Sequence, residues 1–229
     1  MNKQEERIQR AGHRQRLRNK LLEKSSDSFT SEELLELFLF LNHRRGDVKP
    51  LVKSLFGRFK TLGGILAAHH TELSEINGLG DRGIALIKML DGLTQRLSKE
   101  EAYARPVLSN WEAVQHYCIS MLRFKDVEEL MVLFLDTQNR LITDEILSRG
   151  TINYAVIFPR EIVKRALQLK AAGIIIVHNH PSDDPRPSKA DIEMTKKIKA
   201  ALELVDARLL DHLIIAGNSC ISFKSSQLL

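Results

Sequence analysis

HNHPSDDPRPSKAD, residues 178–191, is the stretch on which the reading of this chain turns. It follows GIIIV (173–177), a run with no polar position, as expected of a strand covered on both faces. Side chains at i and i+2 of a strand point the same way, so His178 and His180 project together and Asn179 faces away. Pro181 cannot continue a central strand, so the chain turns out there. Imidazole is the commonest side-chain ligand for zinc, and two on one face can share an ion. Asp191 falls on the first turn of the next helix, where side chains lean back toward the strand end. A second reading stands beside this one. Ser188-Lys189-Ala190-Asp191 is also an S-x-x-D capping box, which needs no metal. Eight histidines in 229 residues give about 0.3 H-x-H pairs by chance, so spacing alone leaves both readings open.

Outward from this stretch the pattern is that of an α/β domain. LMVLFLD (130–136) and RLITDEILS (140–148) flank a turn at Gln138 and Asn139 and predict a hairpin. Pro159 starts a helix over REIVKRALQLKAA. A helix over about 189–205 keeps Ile198, Ala201, Leu202 and Val205 on one side, and HLIIAG and SCISF close the chain as short strands. Ser109 and Glu112 read as a capping box for a helix to about Met121. Before it, SKEEAYARPVL (98–108) is polar, aperiodic and carries Pro106, which predicts an inter-domain linker.

The first half reads as helical throughout. Thr30 and Glu33 form a capping box ahead of LLELFLFL, predicting a helix over about 31–41, with others near 49–58 and 61–68. Leu86, Leu90, Leu93 and Leu97 step by four, three and four along one helical face. The expected division is a basic arm at 1–24, a helical domain at 25–97, the linker at 98–108 and the α/β domain at 109–229.

Composition supports a folded core: 43% of the chain is hydrophobic and 28% is charged. Residues 1–24 hold eight Lys/Arg against three Glu and so account for the whole net charge of +5. Such an arm can neutralise phosphates, or it is a solvated, poorly ordered terminus. No apolar run approaches the ~20 residues of a membrane span, and there is no secretory h-region, so a cytoplasmic protein without membrane contact is expected. Cys118 and Cys220 sit among apolar residues and read as buried thiols. In INGLGDRG (76–83), Gly78 and Gly80 permit a helix-hairpin-helix-like turn whose N–H groups hold a DNA phosphate, assisted by Arg82. The plainer alternative is a Gly-rich turn between packed helices. Weak, non-specific DNA binding by this half is the corresponding partner expectation.

The run H-x-H-P, a serine, and an aspartate eleven residues after the second histidine resembles the JAMM motif of metal-dependent peptidases. EILSRGT (145–151), FPREIVKRAL (158–167), HNHPSDDPRPSKAD and LLDHLII are similar to the RadC family, and the likeness covers essentially the whole chain. It implies an α/β fold: a C-terminal MPN-type (JAMM, cytidine-deaminase-like) mixed sheet flanked by helices, preceded by a small all-α domain. It further implies that His178, His180 and Asp191 hold one zinc ion, leaving the open fourth position of a catalytic site. Ser188 matches the serine that hydrogen-bonds a developing oxyanion. Glu145, sharing a strand face with Thr143 and Leu147, is the candidate general acid/base, whereas Glu161 is discounted as an ordinary helix-start carboxylate. Asp211 and His212 match the family's Asp-His pair and would support the ligands rather than join them. The chain departs from the family where Ser182 is followed by Asp183 and Asp184 instead of glycine. That limits positive φ, adds negative potential and puts substrate preference in doubt. The function implied is zinc-dependent hydrolysis of a peptide or isopeptide amide in an unidentified protein substrate. The alternative is a DNA-associated protein, linked to repair or mobile DNA, whose zinc domain is structural or binds partners. A zinc deaminase would need a cysteine ligand pair that this sequence lacks.

Overall fold

Thr30 opens helix α2 (Ser31–Leu39) as expected: its hydroxyl accepts from Glu33 N at 3.1 Å, and the Glu33 carboxylate accepts from Thr30 N at 3.1 Å. The structure, a computed structural model, describes residues 3–43, 46–150 and 159–229. It divides into two compact units, Met1–Gly92 and Leu93–Leu229. The first unit also contains α1 (Lys3–Glu23), α3 (Lys49–Phe59), α4 (Leu62–Ala67), α5 (His70–Ser74) and the start of α6 (Gly80–Tyr103). Leu35, Leu39, Val52, Leu55, Ile65 and Leu73 form the centre of its core.

Two expectations for this half are corrected, those for the arm and for the linker, and the expected helix through 86–97 is present as α6. From residue 3 to 23 the arm is not a loose terminus, because this span is helical and Leu17 is buried. Three of its side chains bond inside the unit: Lys20 Nζ lies 2.8 Å from Glu33, His13 Nε2 lies 2.7 Å from Glu36, and Arg14 donates to the carbonyls of His43 and Gly46 at 2.7 Å. Within the first unit the buried aliphatic side chains of α6 are Ile84 and Ile87, with Leu90 partly buried against the same core, while further along Leu93 and Leu97 are 50% and 64% exposed. Finally, α6 runs through most of the expected linker. Residues 99–102 are good helix formers, and Ala102 and Val107 enter the core of the second unit.

The second unit continues with α7 (Trp111–Leu122), β1 (Glu129–Leu135), β2 (Leu141–Arg149), α8 (Pro159–Leu169), β3 (Gly173–Asn179), α9 (Lys189–Glu203), β4 (Arg208–Ala216) and β5 (Ser219–Ser222). The expected capping box at Ser109 is replaced: its hydroxyl donates to Pro106 O, and Asn110 caps α7 without a side-chain bond. Thr151 and Phe158, within two of the stretches that resemble RadC, lie outside the described residues. The five strands order as β2-β1-β3-β4-β5, with β3 antiparallel to β1 and parallel to β4. Met131, Leu133, Ile175, Val177 and Leu213 face α7, and Val132, Phe134, Ile174 and Ile176 face α8 and α9. All seven residues of β3 are buried. Each fully buried aliphatic side chain contributes about 1.5–3 kcal/mol, so the strand ending in the histidines is firmly anchored. Among the described residues, no helix is long and apolar enough to cross a membrane. Cys118 is buried and Cys220 partly so, and both are free thiols. Burial pushes the Cys118 thiol well up and that of Cys220 up to about 11.

Candidate metal centre

Even positions of β3 face α8 and α9, so His178 and His180 emerge on that side and Asn179 on the α7 side, as the strand period requires. His180 N donates to Ile215 O at 2.8 Å, which holds the end of the strand against β4. The chain then turns: Asp183 N donates to His180 O at 3.1 Å, with Asp183 at φ 58°. That is the left-handed region suited to glycine, which Asp tolerates better than most residues. Asp184 is held by Arg186, whose Nη2 lies 2.6 Å from Oδ2, so much of the added negative potential is offset locally. Its backbone carbonyl accepts from His180 Nδ1 at 2.7 Å.

Asp191 arrives from the start of α9. Ser188 Oγ accepts from Asp191 N at 3.1 Å, and Asp191 Oδ2 accepts from Ser188 N at 2.7 Å. The capping box and the convergence on the histidines therefore coexist. His178 Nε2 lies 3.4 Å from Asp191 Oδ1, His180 Nε2 lies 3.5 Å from Oδ2, and the two Nε2 atoms are 2.9 Å apart. Among the described residues, these three form the cluster that could hold a metal ion.

The donor chemistry fits a cation. A carbonyl only accepts, so His180 Nδ1 carries the proton toward Asp184 O and neutral His180 presents a bare Nε2. That lone pair faces His178 Nε2 at 2.9 Å, a close approach that a cation between the two would relieve. Tetrahedral zinc with bonds near 2.0–2.2 Å needs its ligand atoms about 3.3–3.5 Å apart. Each histidine lies at that distance from one oxygen of the Asp191 carboxylate, Oδ1 for His178 and Oδ2 for His180, while the two Nε2 atoms are closer, at 2.9 Å. Burial pushes the His178 imidazole down to about 4, against the pull of the Asp191 charge. The hydrogen bond with Asp191 leads the causes that raise His180. Burial works to raise the Asp191 carboxyl, but His180, His178 and Ser188 together hold it well below the usual range.

The cluster opens on a cleft of about 950 Å³. Ser188 lines this cleft; capping uses its oxygen lone pair and leaves the hydroxyl proton available. Glu145 does not line it. It sits on the expected face, opposite Val132, with Leu147 packed in the same cluster, but Arg165 grips both its oxygens at 2.6–2.8 Å. Strand β1 stands between β2 and β3, and two strand spacings are roughly 9–10 Å. The carboxylate that sequence reasoning missed is Glu128. It precedes β1, has the parity of Leu130, and Leu130 pairs with His178. Glu128 is exposed, lines the cleft and contributes to raising the pKa of His180. Its parity was readable from the sequence; the pairing of β1 with β3 was not.

The Asp211-His212 pair divides its work. Asp211 accepts from His212 N at 2.7 Å, Lys224 N at 3.0 Å and the Ser222 hydroxyl at 2.5 Å, tying β4 to the end of the chain. The His212 ring is fully buried, lies 2.8 Å from His178 Nδ1 through its Nε2, and stacks on Phe223. In the first unit, Gly78 and Gly80 take φ 87° and 62°, so the glycines are required by the turn itself. Arg82 is exposed beside Leu41, Ala85, Leu86 and Met89, a largely apolar groove.

Residues 108–228 match the RadC family, described as a RadC-like JAB domain. A UPF0758 protein of Rhodobacter capsulatus is 43% identical over 213 residues, which is 93% of this chain and 100% of the relative.

Proposed function

Since the chain belongs to the RadC family of JAB-domain proteins, we propose that it is a zinc-dependent hydrolase of peptide or isopeptide amides, acting at His178, His180 and Asp191. The observation that carries this reading is the convergence of two imidazole Nε2 atoms and one carboxylate at the floor of an open cleft. Zinc, when bound, supplies the Lewis acidity that acidifies a water and polarises an amide carbonyl. The remaining work falls to the chain. Glu128, on the cleft wall, takes the proton released in the attack and returns it to the leaving nitrogen, the part that sequence reasoning had given to Glu145. The Ser188 hydroxyl donates to the oxygen that gains charge, while its lone pair continues to cap α9. The ends of β3 and α9 hold these groups in fixed relation, so little must be ordered when substrate arrives.

DNA association through residues 1–24 has less behind it. His13, Arg14 and Lys20 all bond within the helical unit.

Purified protein is expected to carry about one zinc, measured by elemental analysis, and to lose it on His178→Ala with the far-ultraviolet spectrum retained. Zinc at a hundred times its dissociation constant should stabilise the metal-free wild type by about 2.7 kcal/mol. Wild-type protein that neither carries nor binds zinc would overturn the reading. Glu128→Gln should keep zinc and abolish cleavage of isopeptide and peptide reporters, while Glu145→Gln keeps both.

A further inference from the structure

We infer that Thr195 is a positioning residue which, through His212, fixes the tautomer of His178 that presents a bare Nε2 to the metal. The inference takes the metal from the reading above, but the polarity of the hydrogen-bond chain stands on its own.

The chain starts at a group with no choice. The Asp191 backbone carbonyl can only accept, and Thr195 Oγ1 donates to it at 2.6 Å across one turn of α9. A hydroxyl has one proton, and that proton is now committed. Toward His212 Nδ1, also 2.6 Å away, the Thr195 oxygen therefore accepts, and His212 carries its proton on Nδ1. The His212 ring is fully buried, packs on Phe223, and has His178 and Thr195 as its hydrogen-bond partners among the described residues. The Asp211 carboxylate beside it is turned to Ser222 and the backbone N–H groups of His212 and Lys224. Burying a second proton on that ring would bury a charge without a carboxylate in contact, so the ring is neutral and its Nε2 is a lone pair. His178 Nδ1, 2.8 Å away, must then be the donor. The proton of His178 is thus placed on Nδ1, and the lone pair is left on Nε2, the atom 3.4 Å from Asp191 Oδ1.

Metal-binding histidines usually donate their other ring N–H to a carboxylate, carbonyl or water, any of which settles the tautomer at once. His180 follows that rule through the Asp184 carbonyl. His178 instead meets another imidazole, which accepts or donates according to its own tautomer. Without the Thr195 hydroxyl, His212 is free to carry its proton on Nε2. It would then donate to His178 Nδ1 and leave the His178 proton on Nε2, in the way of the ion. Asp191 thus serves the centre twice, through its carboxylate and through the carbonyl that sets the direction of the relay.

Nitrogen-15 NMR of the full-length, metal-free wild type at a pH where both rings are neutral tests this directly. The protons are expected on Nδ1 of both His178 and His212; finding the His178 proton on Nε2 overturns the inference. In competition with a chromophoric chelator, Thr195→Val should weaken zinc binding about 10-fold or more, with Thr195→Ser within about threefold of wild type. A folded Thr195→Val protein that binds zinc as tightly as wild type also overturns it. Should the wild type bind no zinc, the hydrolase reading falls and the NMR result alone decides the relay. It does so equally if Thr195→Val fails to fold.

Discussion

Replacing Asn179 by alanine should cost about 3 kcal/mol of stability while leaving all three proposed zinc ligands in place. Asn179 stands between the two histidines but faces the other side of the sheet, and it is 2% exposed. Its Oδ1 accepts from Glu129 N at 2.8 Å, and its Nδ2 donates to Val127 O at 3.0 Å and to Lys125 O at 3.4 Å. This one amide therefore fastens the segment that leads into β1 and carries Glu128. Alanine strands the buried Glu129 N–H, at about 1–3 kcal/mol, and the part-buried Val127 carbonyl, at about 1 kcal/mol. The long bond to Lys125 adds little, and the space left by the missing amide adds roughly 1 kcal/mol. Urea unfolding of metal-free wild type and Asn179→Ala, followed by circular dichroism with unchanged m values, reads the difference. Zinc competition on the same proteins should show similar affinities, since the ligands are untouched. Asn179→Asp keeps the acceptor, loses both donors and sets a carboxylate against two carbonyls, so its loss should be larger at neutral pH. A loss below about 1 kcal/mol in Asn179→Ala would refute the claim that this side chain holds the Glu128 segment.

Two further substitutions test the surroundings of the site. Asp144 accepts from Tyr103 at 2.5 Å and from the fully buried Tyr117 at 2.8 Å, with Lys99 at 2.6 Å, so Asp144→Ala should cost about 3 kcal/mol in urea unfolding. Burial works to raise the Asp144 carboxyl, but Lys99 and the two tyrosines hold it below the ordinary value. Its contribution is therefore complete above an unfolded value near 3.9 and fades as pH falls through the lower folded value; a wild-type advantage over Asp144→Asn that persists unchanged at pH 2 would contradict this. Arg165→Ala breaks the half-exposed pair with Glu145 and should cost under about 1 kcal/mol with zinc affinity unchanged. A tenfold loss of zinc affinity there would mean that Glu145 is coupled to the centre after all.

The sequence signals that proved legible were local ones. An unbroken β-branched run marked β3, strand parity put His178 and His180 together, and the boxes at Thr30 and Ser188 opened their helices as read. Where a signal needed a partner, it failed. Ser109 matched the same box pattern as Thr30, but Pro106 starts a short 3-10 turn whose carbonyl takes its hydroxyl. Glu145 and Glu128 both have the correct parity, and only the order β2-β1-β3 separates them, which no local pattern carries. The loop carboxylates were read as added charge at the metal, yet Arg186, two residues on from Asp184, neutralises one of them. The pairing of Thr195 with His212 was the least visible: they meet across 17 residues, and nothing in the chemistry of a threonine within a helix announces an imidazole above it.

The capping box and the proposed metal ligand looked like rivals for Asp191 in the sequence, but in the structure one carboxylate is placed for both. A helix start favours a carboxylate, because the first N–H groups are unpaired and the dipole is positive there. A divalent cation favours the same charge. Oδ2 accepts from Ser188 N, so the side chain is already immobilised in the rotamer that brings Oδ1 to 3.4 Å from His178 Nε2. The rotamer freedom of Asp191 is lost when α9 folds and need not be lost again on metal binding. His180, fastened through Nδ1 to the Asp184 carbonyl, and His178, backed by His212, are restrained in the same way. Folding thus assembles three candidate ligands, two lone pairs and a carboxylate within 4.8 Å, whose mutual repulsion a cation at their centre would relieve.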